Sequence, residues 1–277
     1  MRPSGRVSRG LLTGSRAAGA RVLNVLDELK MKMLHFRGTV APPPNRQMNN
    51  QRAALARVLN VLDELKMKIP LFGGTFDPPH NGHMNNLRAA LALVRPDKAV
   101  VMPAGVPPHK AASATPGAVR LAMCACFAAA SPVVEISDWE LCRPGPSYTV
   151  DTLEMLAGRY PGADLYLAVG GDMLLSVTHW RRWQEILQRC TLVVESRAPG
   201  QDGALRQAAR RLTETAGGRV LFAGAVSYPC ASSDLRSGRI PRSRWPALLP
   251  EPVLRIIEEQ GLYRPANAPQ PGKEEAP

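Results

Sequence analysis

The sequence predicts an α/β protein built on a doubly wound parallel sheet, and three observations carry that reading. From residue 69 onward, short apolar runs alternate with longer stretches of helical period. The runs are continuously apolar, as in strands covered on both faces. Several run into glycine, histidine, serine or aspartate, at the strand ends where such sheets hold ligands.

In chain order, IPLFGG (69–74) is the first strand and 82–94 the first helix. KAVVMPA (98–104) is the second strand, followed by a helix over 117–130. PVVEISDWEL (132–141) is the third strand, and Ser147-Tyr148-Thr149 offers hydroxyls to open a helix over 149–159. DLYLAVGG (164–171) and TLVVESR (191–197) are strands on either side of a helix over 179–190. A helix over 205–216, with arginines on a solvated face, precedes the strand RVLFAGA (219–225). A last helix over 246–263 is stopped by Gly261.

Composition excludes several classes. The chain has 277 residues, of which 45% are hydrophobic and 21% charged, ordinary values for a globular protein. No apolar run is long enough to span a bilayer, so no membrane partner is expected. The five cysteines have no paired CxxC spacing, which argues against a structural zinc site or a disulfide framework. Cys124 and Cys126 read as small apolar fillers. A reducing, cytoplasmic compartment follows.

The net charge of +12 is unevenly placed. Residues 1–69 hold 13 Lys/Arg against 4 Asp/Glu, and residues 70–277 hold 22 against 19. The body is therefore nearly neutral, and no nucleic-acid partner is expected of it. The basic segment contains a duplication. Residues 20–58 match 56–94 at 28 of 39 positions, an offset of 36. The second copy carries Gly73, Asp77, His80, Gly82 and His83, where the first has Arg37, Ala41, Pro44, Arg46 and Gln47. The first copy has lost the groups that move protons or bind phosphate, and it reads as a degenerate duplicate. Residues 1–26, with five arginines and no acid, resemble a transit peptide or an unstructured basic leader. Met67 makes an alternative start. The expected organisation is an extension over 1–66, partly disordered and non-catalytic, a single catalytic domain over 67–264, and a disordered Pro/Ala-rich tail over 265–277.

The strongest chemical signal is Gly73-Gly-Thr-Phe-Asp-Pro-Pro-His-Asn-Gly-His83, between a strand and a helix. Two glycines let a phosphate approach the backbone. His80 sits in the loop and His83 in the first helical turn, beside the positive end of the helix. The run is neither a P-loop nor a GxGxxG turn. A surface pair or a metal site, with Asp77 as third ligand, are the other readings of the two histidines.

This stretch resembles the signature of the nucleotidyltransferase superfamily with a (H/T)xGH motif. Further blocks make the chain similar to the bacterial nicotinate-nucleotide adenylyltransferase (deamido-NAD pyrophosphorylase) family over about residues 69–264. They are Val106-Pro-Pro-His-Lys110, Pro146-Ser-Tyr-Thr-Val-Asp-Thr152, Gly170-Gly-Asp172 leading to Trp180-Arg-Arg-Trp183, and the closing Leu248–Val253 and Gly261–Arg264. The resemblance implies a Rossmann-like domain that joins ATP to nicotinate mononucleotide, giving deamido-NAD and pyrophosphate in NAD biosynthesis. It implies Mg²⁺ arriving with ATP, and no protein-held metal. It leaves a homo-oligomer open. Another phosphate acceptor, phosphopantetheine or nicotinamide mononucleotide, is the alternative within the superfamily. RNA binding through the basic leader is the alternative outside it.

By the same resemblance His80 and His83 are catalytic. Gly73, Gly74, Thr75, Phe76, Gly171, Asp172, Ser232, Ser233 and Arg236 bind ATP. His109, Lys110, Ser147, Tyr148, Thr149 and Trp180 bind nicotinate mononucleotide. Asp172 could equally cap a helix, and Lys110 could be a solvated loop charge. Trp183 is expected in the core. Ala231 departs from the family's serine in the Ile-Ser-Ser-Thr-x-Ile-Arg block, which removes one hydroxyl.

Overall fold

Six strands hydrogen-bond side by side, all parallel, in the order β3-β2-β1-β4-β5-β6. The computed structural model describes residues 66–108, 113–195, 202–224 and 228–264, together with Ala53 and Arg57. The chain divides into two units, Met1–Lys66 and Met67–Pro277. The leader, nearly all of the first repeat copy, the tail, His109 and Lys110 lie outside the described residues.

The strands are β1 Lys68–Gly74, β2 Ala99–Pro103, β3 Val134–Ile136, β4 Asp164–Gly170, β5 Cys190–Glu195 and β6 Arg219–Ala223. The larger helices are α1 Asn81–Val94, α2 Gly117–Cys124, α3 Thr149–Arg159, α4 Gly171–Ser176, α5 Trp183–Arg189 and α6 Asp202–Ala216. Then come α7 Ser232–Arg236, α8 Trp245–Leu248 and α9 Glu251–Glu259.

Period two explains the continuous apolar runs. Phe72, Ala99 and Val101 face one layer with Met84, Leu87, Phe127, Trp245 and Ile257. Their neighbours Leu71, Val100 and Met102 face the other, with Leu153, Ile186 and Leu205. The four central strands β1, β2, β4 and β5 are thus buried on both sides, and polar alternation has no place in them, while the edge strand β6 leaves Arg219 and Leu221 exposed. Cys124 and Cys126 sit in the first layer as fillers. The arginines of α6, Arg206, Arg210 and Arg211, are exposed, while Leu205, Ala209 and Leu212 are buried.

Several boundaries differ from the sequence reading. The third strand stops at Ile136, at the sheet edge, and 137–141 leave it to reach the strand ends. The helix expected over 117–130 is α2 followed by a 3₁₀ segment, Ala125–Ala130. Arg182 is left-handed (φ 55°), so α5 starts at Trp183 and Trp180 is extended. Gly171 belongs to α4, with Gly170 as its cap, so Asp172 is a first-turn residue and not the N-cap. Pro250 holds Leu249 extended and splits the last helix into α8 and α9. That helix ends before Gly261 (φ 60°), as expected.

The strand order reverses direction between β1 and β4. There the chain runs outward in both senses, and a crevice opens at the strand ends.

Candidate functional site

The turn from β1 into α1 is built around two imidazoles that cap one helix. His80 is the N-cap residue of α1, and its Nδ1 accepts the backbone N–H of His83 at 3.3 Å. His83 Nδ1 accepts the backbone N–H of His80 at 3.2 Å. This is a capping box made from two histidines. The rings stack with centroids 3.7 Å apart. A neutral imidazole whose Nδ1 accepts must carry its proton on Nε2. The caps therefore fix both tautomers and leave Nε2–H as the outer donor of each ring.

Gly82 explains the spacing. A Cβ there would lie 2.9 Å from Nδ1 and Cε1 of His80. Only glycine lets the His80 ring fold back over the first turn. His80 is buried and His83 half-buried. Phe76, left-handed at φ 49° and 2% exposed, packs edge-on against His83 and at a tilt against Phe72 and Phe127. Its side chain supports the histidine from the core.

Asp77 is the hub of the turn. Its carboxylate accepts from Ser113 Oγ at 2.6 Å and from the Tyr263 phenol, and Arg236 Nε lies 3.9 Å away. Thr115 Oγ1 reaches the Tyr263 oxygen at 3.3 Å. Burial alone would raise the Asp77 pKa; the hydroxyls of Ser113, Thr115 and Tyr263 and the charge of Arg236 outweigh it and hold the carboxyl below its ordinary value. Burial, and then Asp77, push the Tyr263 phenol up. Arg236 also donates to the Asp77 carbonyl, and Ser232 Oγ to the Pro78 carbonyl at 2.9 Å. The peptide between Asp77 and Pro78 is cis. Ser232 and Arg236 therefore come to the histidine turn from 154 and 159 residues away in sequence. Ser233 is exposed beside them.

Arg120 lies beneath the turn, 3% exposed. Its guanidinium donates to the carbonyls of Thr75 at 2.9 Å, Ala104 at 2.8 Å and Thr115 at 3.3 Å. It ties the ends of β1 and β2 together and occupies carbonyls that would otherwise repel an anion. Sequence reasoning missed it. The signal was its place at i, i+3 and i+4 with buried Met123 and Cys124, an arginine on the apolar stripe of α2.

Beside the turn, at the ends of β1 and β4, lies a cavity of about 470 Å³. It brings together Gly73, Gly74, Thr75 and Asp172 with Ser147, Tyr148, Thr149 and Trp180. Phe76, His80, His83, Gly171, Ser232, Ser233 and Arg236 do not line it, so they and the cavity form adjoining parts. Leu71, Leu167, Val169 and Ile186 make its floor apolar. Trp183 packs against the core, as expected.

Glu140, also missed, lines the cavity and accepts from Thr152 Oγ1 at 2.6 Å. Burial raises its pKa despite hydrogen bonds from Thr152, Ser147 and the Gly105 backbone. A Cβ at Gly105 would stand 2.4 Å from the Glu140 carbonyl oxygen, so this approach too requires glycine. Arg181 lies over the Tyr148 ring at 4.5 Å.

No thiol is poised to attack. Burial pushes Cys126 and Cys190 to about 12 and Cys230 to about 11, and raises Cys124. Asp138 raises exposed Cys142. Among the described residues no three His, Cys, Asp or Glu side chains are grouped to hold a metal, and Asp77 is committed to Tyr263, Ser113 and Arg236. No helix among them is long and apolar enough to cross a membrane.

The chain matches the cytidylyltransferase-like family model over residues 71–238. It is 39% identical over 180 residues to a probable nicotinate-nucleotide adenylyltransferase of Acidithiobacillus ferrooxidans, covering 60% of this chain and 82% of that one. It is 37% identical over 174 residues to one of Symbiobacterium thermophilum, covering 60% and 81%. The fold is similar to Plasmodium falciparum nicotinic acid mononucleotide adenylyltransferase complexed with NaAD, with a TM-score of 0.58 at 15% identity. That likeness covers 71% of this chain and 97% of the other.

Proposed function

The chain belongs to the cytidylyltransferase-like family, among the nicotinate-nucleotide adenylyltransferases, and we propose how its site performs that reaction. It is a nucleotidyltransferase of NAD biosynthesis. An oxygen of the nicotinate mononucleotide 5′-phosphate attacks the α-phosphorus of ATP in line. The new P–O bond forms as the bond to the bridging oxygen of pyrophosphate breaks, and pyrophosphate carries off the electron pair. Catalysis is positioning and charge stabilisation, and no protein nucleophile takes part.

The observation that carries the reading is the double cap. It fixes two Nε2–H donors at the positive end of α1, where negative charge on the α- and β-phosphates grows. The Gly73–Thr75 backbone lies alongside. Ser232, Ser233 and Arg236 take the outer phosphates, with Arg236 exchanging the Asp77 carbonyl for phosphate oxygens. Asp172 and the Gly171 backbone hold the ATP ribose. In the cavity, Trp180 and Tyr148 flank the pyridine ring, and Ser147 and Thr149 supply polar contacts; the mononucleotide contacts expected of His109 and Lys110 fall outside the described residues. The described residues offer no carboxylate cage, which suits Mg²⁺ bound to the triphosphate and water. Mg²⁺ would neutralise charge on the leaving pyrophosphate.

Residues 67–264 are the catalytic body in this reading, and a chain beginning at Met67 retains turnover. The free cysteines suit the cytoplasm. Mass spectrometry of products from ATP, Mg²⁺ and nicotinate mononucleotide tests the reading. Deamido-NAD and pyrophosphate are expected. Transfer to phosphopantetheine alone, or no transfer, would overturn it.

A further inference from the structure

We infer that Arg181 selects the acid form of the acceptor by pairing its guanidinium with the pyridine carboxylate. The inference rests on the adenylyl-transfer reading above and concerns the same cavity.

Five ionisable residues line the cavity among the described ones: Glu140, Tyr148, Asp172, His179 and Arg181. Arg181 alone of these is always cationic. The arginines near it are differently employed. Arg182 bonds Glu154 at 2.8 Å and Glu185 at 2.7 Å, and Arg189 bonds Glu185 at 2.6 Å. Those three side chains and Glu154 form one surface ion cluster. Arg181 has no carboxylate partner among the described residues. What it does have is the Tyr148 ring, which its guanidinium covers at 4.5 Å.

That placement follows from the backbone. The left-handed Arg182 delays the start of α5, so the extended Trp180 and Arg181, in the turn before α5, both line the cavity wall. Stacking on Tyr148 then fixes the guanidinium plane, which reduces the rotamer freedom lost when an anion is bound. A ring placed between Trp180 and Tyr148 would bring its substituent to the residue that adjoins both. A carboxylate there gains a charge-assisted pair; a carboxamide gains a neutral hydrogen bond at most, and its amino group would face a cation. The two nearby acids do not supply this discrimination. Glu140 is engaged by Thr152, and Asp172 is an anion.

A charge series at this exposed position tests the inference with little risk to folding. Wild type, Arg181→Lys, Arg181→Gln and Arg181→Glu are assayed with both the acid and the amide mononucleotide, and kcat/KM is measured for each. The acid-to-amide ratio is expected to fall about tenfold in Arg181→Gln, the size of one charge-assisted hydrogen bond. It should fall further in Arg181→Glu and less in Arg181→Lys, with the loss mainly on the acid. An unchanged ratio would overturn the role of Arg181. Equal losses on both acceptors would overturn it too, since the guanidinium would then meet the phosphate that they share. If wild type adenylates neither mononucleotide, the parent reading fails first, and the two failures are told apart by that control.

Discussion

Tyr263 donates its phenol to the Asp77 carboxylate across 186 positions of sequence. The bond joins the last described turn of the chain to the loop that carries the histidines. Ser113 and Arg236 meet the same carboxylate from two other segments. The shape of the histidine turn is therefore set by residues remote from it.

Tyr263→Phe should destabilise the fold by about 1–3 kcal/mol, because the buried carboxylate loses a donor that water cannot replace. Urea denaturation at neutral pH measures it. The variant should also raise the KM for ATP, as Asp77 shifts and Arg236 with it. A variant as stable as wild type would show that the bond carries no load.

The stability that Asp77 supplies should depend on pH with a definite sign. Its folded pKa lies below the unfolded value, so at acid pH the unfolded chain binds more protons. The contribution is complete above the ordinary carboxylate value of 3.8 and is lost as pH falls through the folded pKa. The stability gap between wild type and Asp77→Asn should thus be full at neutral pH and shrink below about pH 4. A gap that widens on acidification would contradict the account. Denaturation curves at several pH values decide.

His83→Ala should lower kcat by about 10²–10³-fold, as loss of one preorganised donor to a growing negative charge does. It also removes the cap on the His80 N–H, so His80 loses its fixed setting. Circular dichroism should show a folded protein. Steady-state kinetics giving near wild-type kcat would remove His83 from the mechanism.

Arg120→Met fills similar space but strands the carbonyls of Thr75, Ala104 and Thr115. Stability should fall by about 2–5 kcal/mol, and the KM for ATP should rise as the glycine turn loosens. Arg120→Lys should recover part of both. A thermal melt and ATP titration of the two variants check this.

Much of the fold was legible in the sequence because both faces of the central strands are buried, and an apolar run then marks a strand plainly. The edge strand was the weak point. Val134–Ile136 has a neighbour on one side only, and Trp139 and Glu140 look like strand residues although they turn away toward the cavity. The break before α5 was hidden because nothing in Trp180–Trp183 marks a left-handed arginine. The histidine motif stood out because glycine and paired imidazoles are needed at fixed spacing. Arg120 showed only as an arginine on the apolar stripe of a helix, and Glu140 and Tyr263 were not visible as site residues. They act through contacts made by the folded chain, and each sits in a stretch that reads locally as ordinary helix, strand or terminus.

The central claim is that the two Nε2–H groups at the tip of α1 clamp the migrating adenylyl unit. A crystal structure with a non-hydrolysable ATP analogue tests it most directly. The expected result is α- and β-phosphate oxygens about 2.7–3.2 Å from Nε2 of His80 and His83, with Arg236 released toward the outer phosphates. A triphosphate seated elsewhere, with both imidazoles untouched, would contradict the account.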